Sequence, residues 1–172
     1  MQFFFSQSLQ ERFFEYDIFP SYDSSDQDWV TQYLMSELED RQELRLCIHP
    51  RDFVPGLFVV DNIQAAVERS RKLMVLFTKN FAKSQWCMYE LRLFIMEVQE
   101  RGEELIVVFL EDIPAEDTTS EMEAASAVYP CYKWPDGARA RKKFWKALYK
   151  AAIKGTDRDR SVLDKVLKKL FK

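Results

Sequence analysis

Short apolar runs alternate along the chain with stretches of helical spacing. The first run is Tyr16 to Tyr22. Trp29, Val30, Tyr33, Leu34 and Leu38 then recur at three- and four-residue intervals, which predicts a helix starting near Asp26 with those side chains on one face. A second run, Leu44 to Ile48, enters a loop from His49 to Gly56 that carries two prolines and a glycine. Phe58 to Ser70 reads as the next helix, with Val59, Ile63, Ala66 and Val67 facing inward. The third run spans Lys72 to Thr78. Ser84 is placed to cap a long helix whose stripe is Trp86, Leu91, Phe94, Ile95 and Val98, and Gly102 ends it. The fourth run, Leu105 to Leu110, is the most continuous. A polar stretch from Glu111 to Ser126 predicts a loop with a short helix, before a weak fifth strand at Val128 to Trp134 and a Pro135-Asp136-Gly137 turn. The last helix of this pattern contains Phe144, Trp145, Leu148 and Ala152.

Strands separated by helices imply crossover connections and a parallel sheet. The third and fourth runs are apolar at consecutive positions, as strands covered on both faces must be. Right-handed crossovers leave few arrangements. The expected fold is α/β and flavodoxin-like: a five-stranded parallel sheet of order 2-1-3-4-5 with helices on both faces.

Length and composition fit one globular domain. The chain has 172 residues, 47% of them apolar and 15% aromatic, enough to bury a core. Cys47, Cys87 and Cys131 lie far apart without a CxxC pair, and His49 is the lone histidine. That is a poor disulfide framework and a poor zinc site, so neither a metal nor a cofactor is expected and a reducing compartment fits best. No apolar run approaches the roughly 20 residues that span a bilayer. The net charge of −3 divides unevenly: residues 1–138 carry 12 basic and 25 acidic side chains, residues 139–172 carry 13 and 3. An acidic body with a basic end suits a polar partner surface or an anionic membrane, and is equally what a solvated, charged helix face looks like. No nucleic-acid partner is expected.

Several short stretches carry a family resemblance. YDIFPSY at Tyr16 to Tyr22 resembles the first conserved box of TIR domains. RDFVPG at Arg51 to Gly56 is similar to the second, RDxxPG, and Phe144-Trp145 to the third, FW. Ser84 to Leu91, SQWCMYEL, and Lys133-Trp134-Pro135 look like the corresponding stretches of Toll-like receptors. The resemblance covers Tyr16 to Lys154 in order and register, which divides the chain into a flank (1–15), a TIR domain (16–154) and a basic amphipathic tail (155–172), expected to be helical. One departure stands out. Pro20 occupies a strand that is central in this sheet order and removes a ladder donor there, so either a bulge near the strand's end or a local distortion is expected.

The resemblance implies an innate-immune signalling module that associates through TIR–TIR contacts and recruits a TIR-containing adaptor by its BB loop. The expected partner-binding residues are Arg51, Asp52, Phe53, Val54, Pro55 and Gly56. Pro50 and Pro55 stiffen the loop, Phe53 and Val54 offer apolar contact, and Leu57 and Phe58 follow. Arg51 and Asp52 suit either a partner's charges or internal bracing. Trp86 and Leu91 are expected in the core, Phe144 and Trp145 in the packing of the last helix. Cys87 is read as a buried thiol and His49 as a loop histidine without a catalytic role. Such a module is expected in the cytoplasm, and at the cytoplasmic face of a membrane if it is the tail of a receptor.

The alternative is enzymatic. Some TIR domains cleave NAD with the glutamate of a W-x-x-x-E pattern, and Trp86 to Glu90 has that spacing. Glu90 would stabilise an oxocarbenium-like transition state, with NAD as substrate. Against it, the loop after the first strand runs Asp23-Ser24-Ser25-Asp26-Gln27-Asp28 without a cation for the pyrophosphate. No glycine-rich phosphate cradle occurs either. A response-regulator receiver shares the sheet order, but the third run ends Phe77-Thr78 with no phospho-acceptor aspartate.

Overall fold

A computed structural model describes residues 13–170. Residues 1–12 of the predicted flank and the last two residues of the tail lie outside the described residues. Strand β1 (Tyr16–Ser21) is followed by a 3-10 turn (Ser24–Asp26) and helix α1, which begins as Gln27–Trp29 and continues in wider π-type turns over Val30–Arg41. A short α2 (His49–Asp52) and α3 (Val59–Arg69) lead into β2 (Ser70–Phe77). Helices α4 (Lys79–Lys83) and α5 (Gln85–Arg101) precede β3 (Ile106–Phe109). Then come α6 (Ser120–Val128), β4 (Cys131–Lys133), α7 (Ala138–Ile153) and α8 (Asp157–Leu170).

The four strands pair in parallel in the order β1-β2-β3-β4. The expected fifth strand, the second run, is reduced to a single parallel bridge between Leu46 and Ile18 on the outer side of β1. The expected order survives with one strand shortened, for a local reason. Ile18 N donates to Arg45 O and Cys47 N donates to Ile18 O; the next bond of that ladder requires an N–H at position 20, which is proline. Side chains cap both ends of the segment: Asp17 Oδ2 accepts from Arg45 N at 2.7 Å, and Asp52 Oδ2 accepts from Ile48 N at 2.7 Å. Pro20 therefore costs β1 nothing toward β2, where it pairs in register with Met74.

β2 shows how the sheet divides the core. Leu73, Val75 and Phe77 point to one face, packed with Ile63 of α3, Phe94 of α5 and Met122 of α6. Met74 and Leu76 point to the other, packed with Leu34 of α1 and Leu148 of α7. Alternation in the strand and three-to-four spacing in the helices supply both layers. Ser84 caps α5 by accepting from Cys87 N, and Gly102 ends it at φ 64, a conformation that a residue with a side chain resists.

Boundaries move at several points. The strand expected from Val128 narrows to Cys131–Lys133, because α6 runs through Val128. The helix expected from Phe58 starts at Val59, and Ser70 already belongs to β2. Val59, expected inward, is exposed.

Candidate functional site

The segment between the second run and α3 is a braced loop with an apolar tip. It opens with one helical turn rather than as loop throughout. Pro50 sits in the first turn of α2, where a missing N–H costs no hydrogen bond, and Asp52 returns its carboxylate to Ile48 N. Arg51 turns back onto the domain. Its Nη1 and Nη2 donate to Glu39 Oε2 and Oε1 at 3.0 and 2.7 Å, and Nη2 also donates to Leu46 O at 2.9 Å. The hydrogen bonds to Glu39, then those to Asp52, hold the guanidinium pKa above its ordinary value. Phe53 is half-buried, edge-on to Phe19 at 6.0 Å and to His49 at 4.8 Å.

Val54 is fastened by a residue that sequence reading overlooked. Asn62 of α3, only 8% exposed, accepts from Val54 N at 2.9 Å through Oδ1 and donates to Val54 O at 3.1 Å through Nδ2. A side-chain amide thus stands in for a strand partner. An asparagine beside Ile63 on the inner face of an amphipathic helix was the available signal. Beyond Val54 the chain turns out at Pro55 and at Gly56, whose φ of 85 favours glycine. Val54, Leu57 and Phe58 present their side chains to solvent, Phe58 at 82% exposure.

Behind the loop, at the carboxyl end of β1, lies a cavity of about 230 Å³ lined by Tyr22, Asp23, His49, Trp86, Cys87 and Glu90 among others. Glu90 is 8% exposed. Burial pushes its carboxyl up to about 7, opposed by the neighbouring Ser21 hydroxyl, which has no hydrogen-bond partner of standard geometry. Burial also pushes the Cys87 thiol up to about 12, as expected of a buried thiol and opposite to what a helix start alone would do. His49 is held below its ordinary value by burial, so it stays neutral at pH 7. No lysine or arginine lines the cavity. Trp86, expected in the core, is 53% exposed at the cavity rim and edge-on to Tyr89, whereas Leu91 is fully buried. The packing expected of Phe144 and Trp145 is found: both join Trp29 and Trp134 in an aromatic cluster between α1, β4 and α7.

The tail forms α8, whose apolar side chains remain exposed. Among the described residues no helix is long and apolar enough to cross a membrane.

The chain is similar to known proteins. The chain is 34% identical over 148 residues to Toll-like receptor 2 type-2 of Gallus gallus and 35% identical over 148 residues to Toll-like receptor 2 of Homo sapiens. Each match covers 81% of this chain and 18% of the receptor, so the chain spans about a fifth of the length of these relatives. The TIR domain of the Toll-related receptor TRR-2 from Hydra magnipapillata superposes with a TM-score of 0.63 at 24% identity, over 80% of this chain and 98% of that one. The family model of the TIR domain matches residues 15–170. The chain belongs to the TIR domain family and is homologous to the signalling domains of Toll-like receptors.

Proposed function

We propose that this domain is a signalling scaffold of innate immunity that associates with other TIR domains and recruits a TIR-containing adaptor from the cytoplasmic side. Residues 51–56 form the contact loop, extended by Leu57 and Phe58. The observation that carries this reading is the division of labour within the loop. Arg51, Asp52 and Phe53 face the domain and hold the loop's shape, while Val54, Pro55 and Phe58 are presented on it, and Gly56 turns the chain. A loop already held in shape loses little entropy on binding, so its apolar tip contributes affinity directly.

Pro55→His tests the reading, with Phe58→Glu as a second variant. Both are expected to weaken co-precipitation with an adaptor TIR domain while leaving the melting temperature nearly unchanged. Unaltered recruitment by both variants would refute the loop as the contact surface, as would loss of fold in Pro55→His.

A second reading, NAD cleavage by Glu90, is favoured by one observation: the carboxyl lines a cavity. The absence of cations there and the raised pKa both weigh against it, since the reaction requires a carboxylate beside an anionic dinucleotide. Release of nicotinamide from NAD by the purified domain, abolished in Glu90→Ala, would establish hydrolysis over the scaffold.

A further inference from the structure

Helix α8 is fastened at one end and open along its length. Arg158 donates to the carbonyls of Gln42 and Glu43 at 2.9 and 3.1 Å, and Asp159 Oδ2 accepts from Gly155 N at 3.0 Å. Beyond that first turn Val162, Leu163, Val166, Leu167 and Leu170 form a continuous stripe, each at least 38% exposed. The stripe joins neither core cluster of the domain. Helical spacing sets Lys165 and Lys169 along one border and Arg160 along the other.

The neighbouring surface has the same sign. Gln42, whose carbonyl receives Arg158, also lines a groove of about 800 Å³ between α1 and α7 into which Lys142 and Lys146 open. Among the described residues Lys142, Lys146, Lys165, Lys168 and Lys169 form no ion pair. Of the three acids of α8, Asp157 and Asp159 lie in its first turn and Asp164 alone falls within the stretch that carries the stripe, against Lys165, Lys168 and Lys169. A second copy of this helix laid antiparallel is a poor occupant, because that pairing would set Lys165 and Lys169 against their own kind. An anionic surface with an apolar interior relieves both the exposed stripe and the clustered charge.

We propose that α8 and the basic face of α7 form a docking surface for an anionic lipid bilayer. The stripe lies among the headgroups, parallel to the membrane plane, and the bordering lysines engage lipid phosphates and carboxylates. The helix, at 14 residues about 21 Å long, lies on the bilayer rather than crossing it. None of the residues that form this surface belongs to the loop at residues 51–58.

The experiment is sedimentation of the full chain with phosphatidylcholine vesicles with and without phosphatidylserine. Binding is expected to the anionic vesicles, to fall with added salt, and to be at least tenfold weaker on neutral ones. Lys165→Glu with Lys169→Glu should weaken it by more than tenfold, since each lysine contributes about fivefold near such a surface. Leu163→Asp with Leu167→Asp should also weaken it by about tenfold or more. Both pairs are expected to leave the melting temperature nearly in place, because the stripe belongs to neither core cluster. Three results would overturn the proposal: no binding to anionic vesicles, equal binding to both vesicle types, or binding that survives both pairs of substitutions. A dimer seen by light scattering and lost in Leu163→Asp/Leu167→Asp, without vesicle binding, would assign the stripe to self-association instead.

Discussion

Glu90→Gln measures what it costs this fold to enclose a carboxyl. The group titrates near its ordinary value of 4.5 when the chain is unfolded and at about 7 in the folded domain. Between those values the folded state holds a proton that the unfolded state has released, so stability falls as pH rises through the window. The contribution is intact below about pH 4.5 and is lost above about pH 7. At about 1.4 kcal/mol per pH unit the full loss is about 3 kcal/mol, of which about 2 to 3 kcal/mol falls between about pH 5 and about pH 8. Glutamine has the same shape and does not titrate. Any cost of fitting its amide beside the unpartnered Ser21 hydroxyl is the same at every pH and cancels in the comparison. For a domain of this size 1 kcal/mol corresponds to roughly 2–4 °C. The melting temperature of the variant, relative to the wild type, should therefore rise by about 5–10 °C from pH 5 to pH 8, read by circular dichroism. A difference that stays flat across that range would show that Glu90 titrates like an exposed carboxylate, and that water reaches it freely.

Asn62→Ala removes both hydrogen bonds to Val54 and should cost about 1–2 kcal/mol in urea unfolding, with weaker adaptor binding although no exposed apolar group changes. Phe94→Ala empties the middle of the core and should cost about 3–5 kcal/mol, whereas Trp86→Ala at the rim should cost under about 1 kcal/mol; thermal unfolding of the pair separates them. Of the three free cysteines, Cys47 and Cys87 are buried with thiols pushed up to about 12, and Cys131 is exposed. Iodoacetamide on the native protein should mark Cys131 first, as peptide mass spectrometry reports, and early labelling of Cys87 would contradict its burial.

The alternation of apolar runs with helical spacing determined the class of this protein. Consecutive apolar residues such as Leu73 to Phe77 require cover on both faces, and only helices between parallel strands provide it. The ordered boxes at Tyr16, Arg51 and Phe144 then identified the family and located the loop. Both kinds of information are local, since a residue's polarity and its neighbours along the chain suffice to read them.

Tertiary structure decided what depends on partners distant in sequence. The second strand is shortened because Pro20 withholds the N–H that Cys47 O would need, a pairing of residues 27 positions apart. Trp86 sits on the same helix as Leu91 and is as apolar, yet the sheet covers one and leaves the other at the rim. Periodicity gives the direction in which a side chain points and leaves open how far the cover extends. Asn62 reads as a polar residue out of place until Val54, eight residues earlier, is seen to use both ends of its amide. The raised pKa of Glu90 likewise belongs to the cavity walls rather than to the residue, since desolvation is set by atoms that other elements bring close.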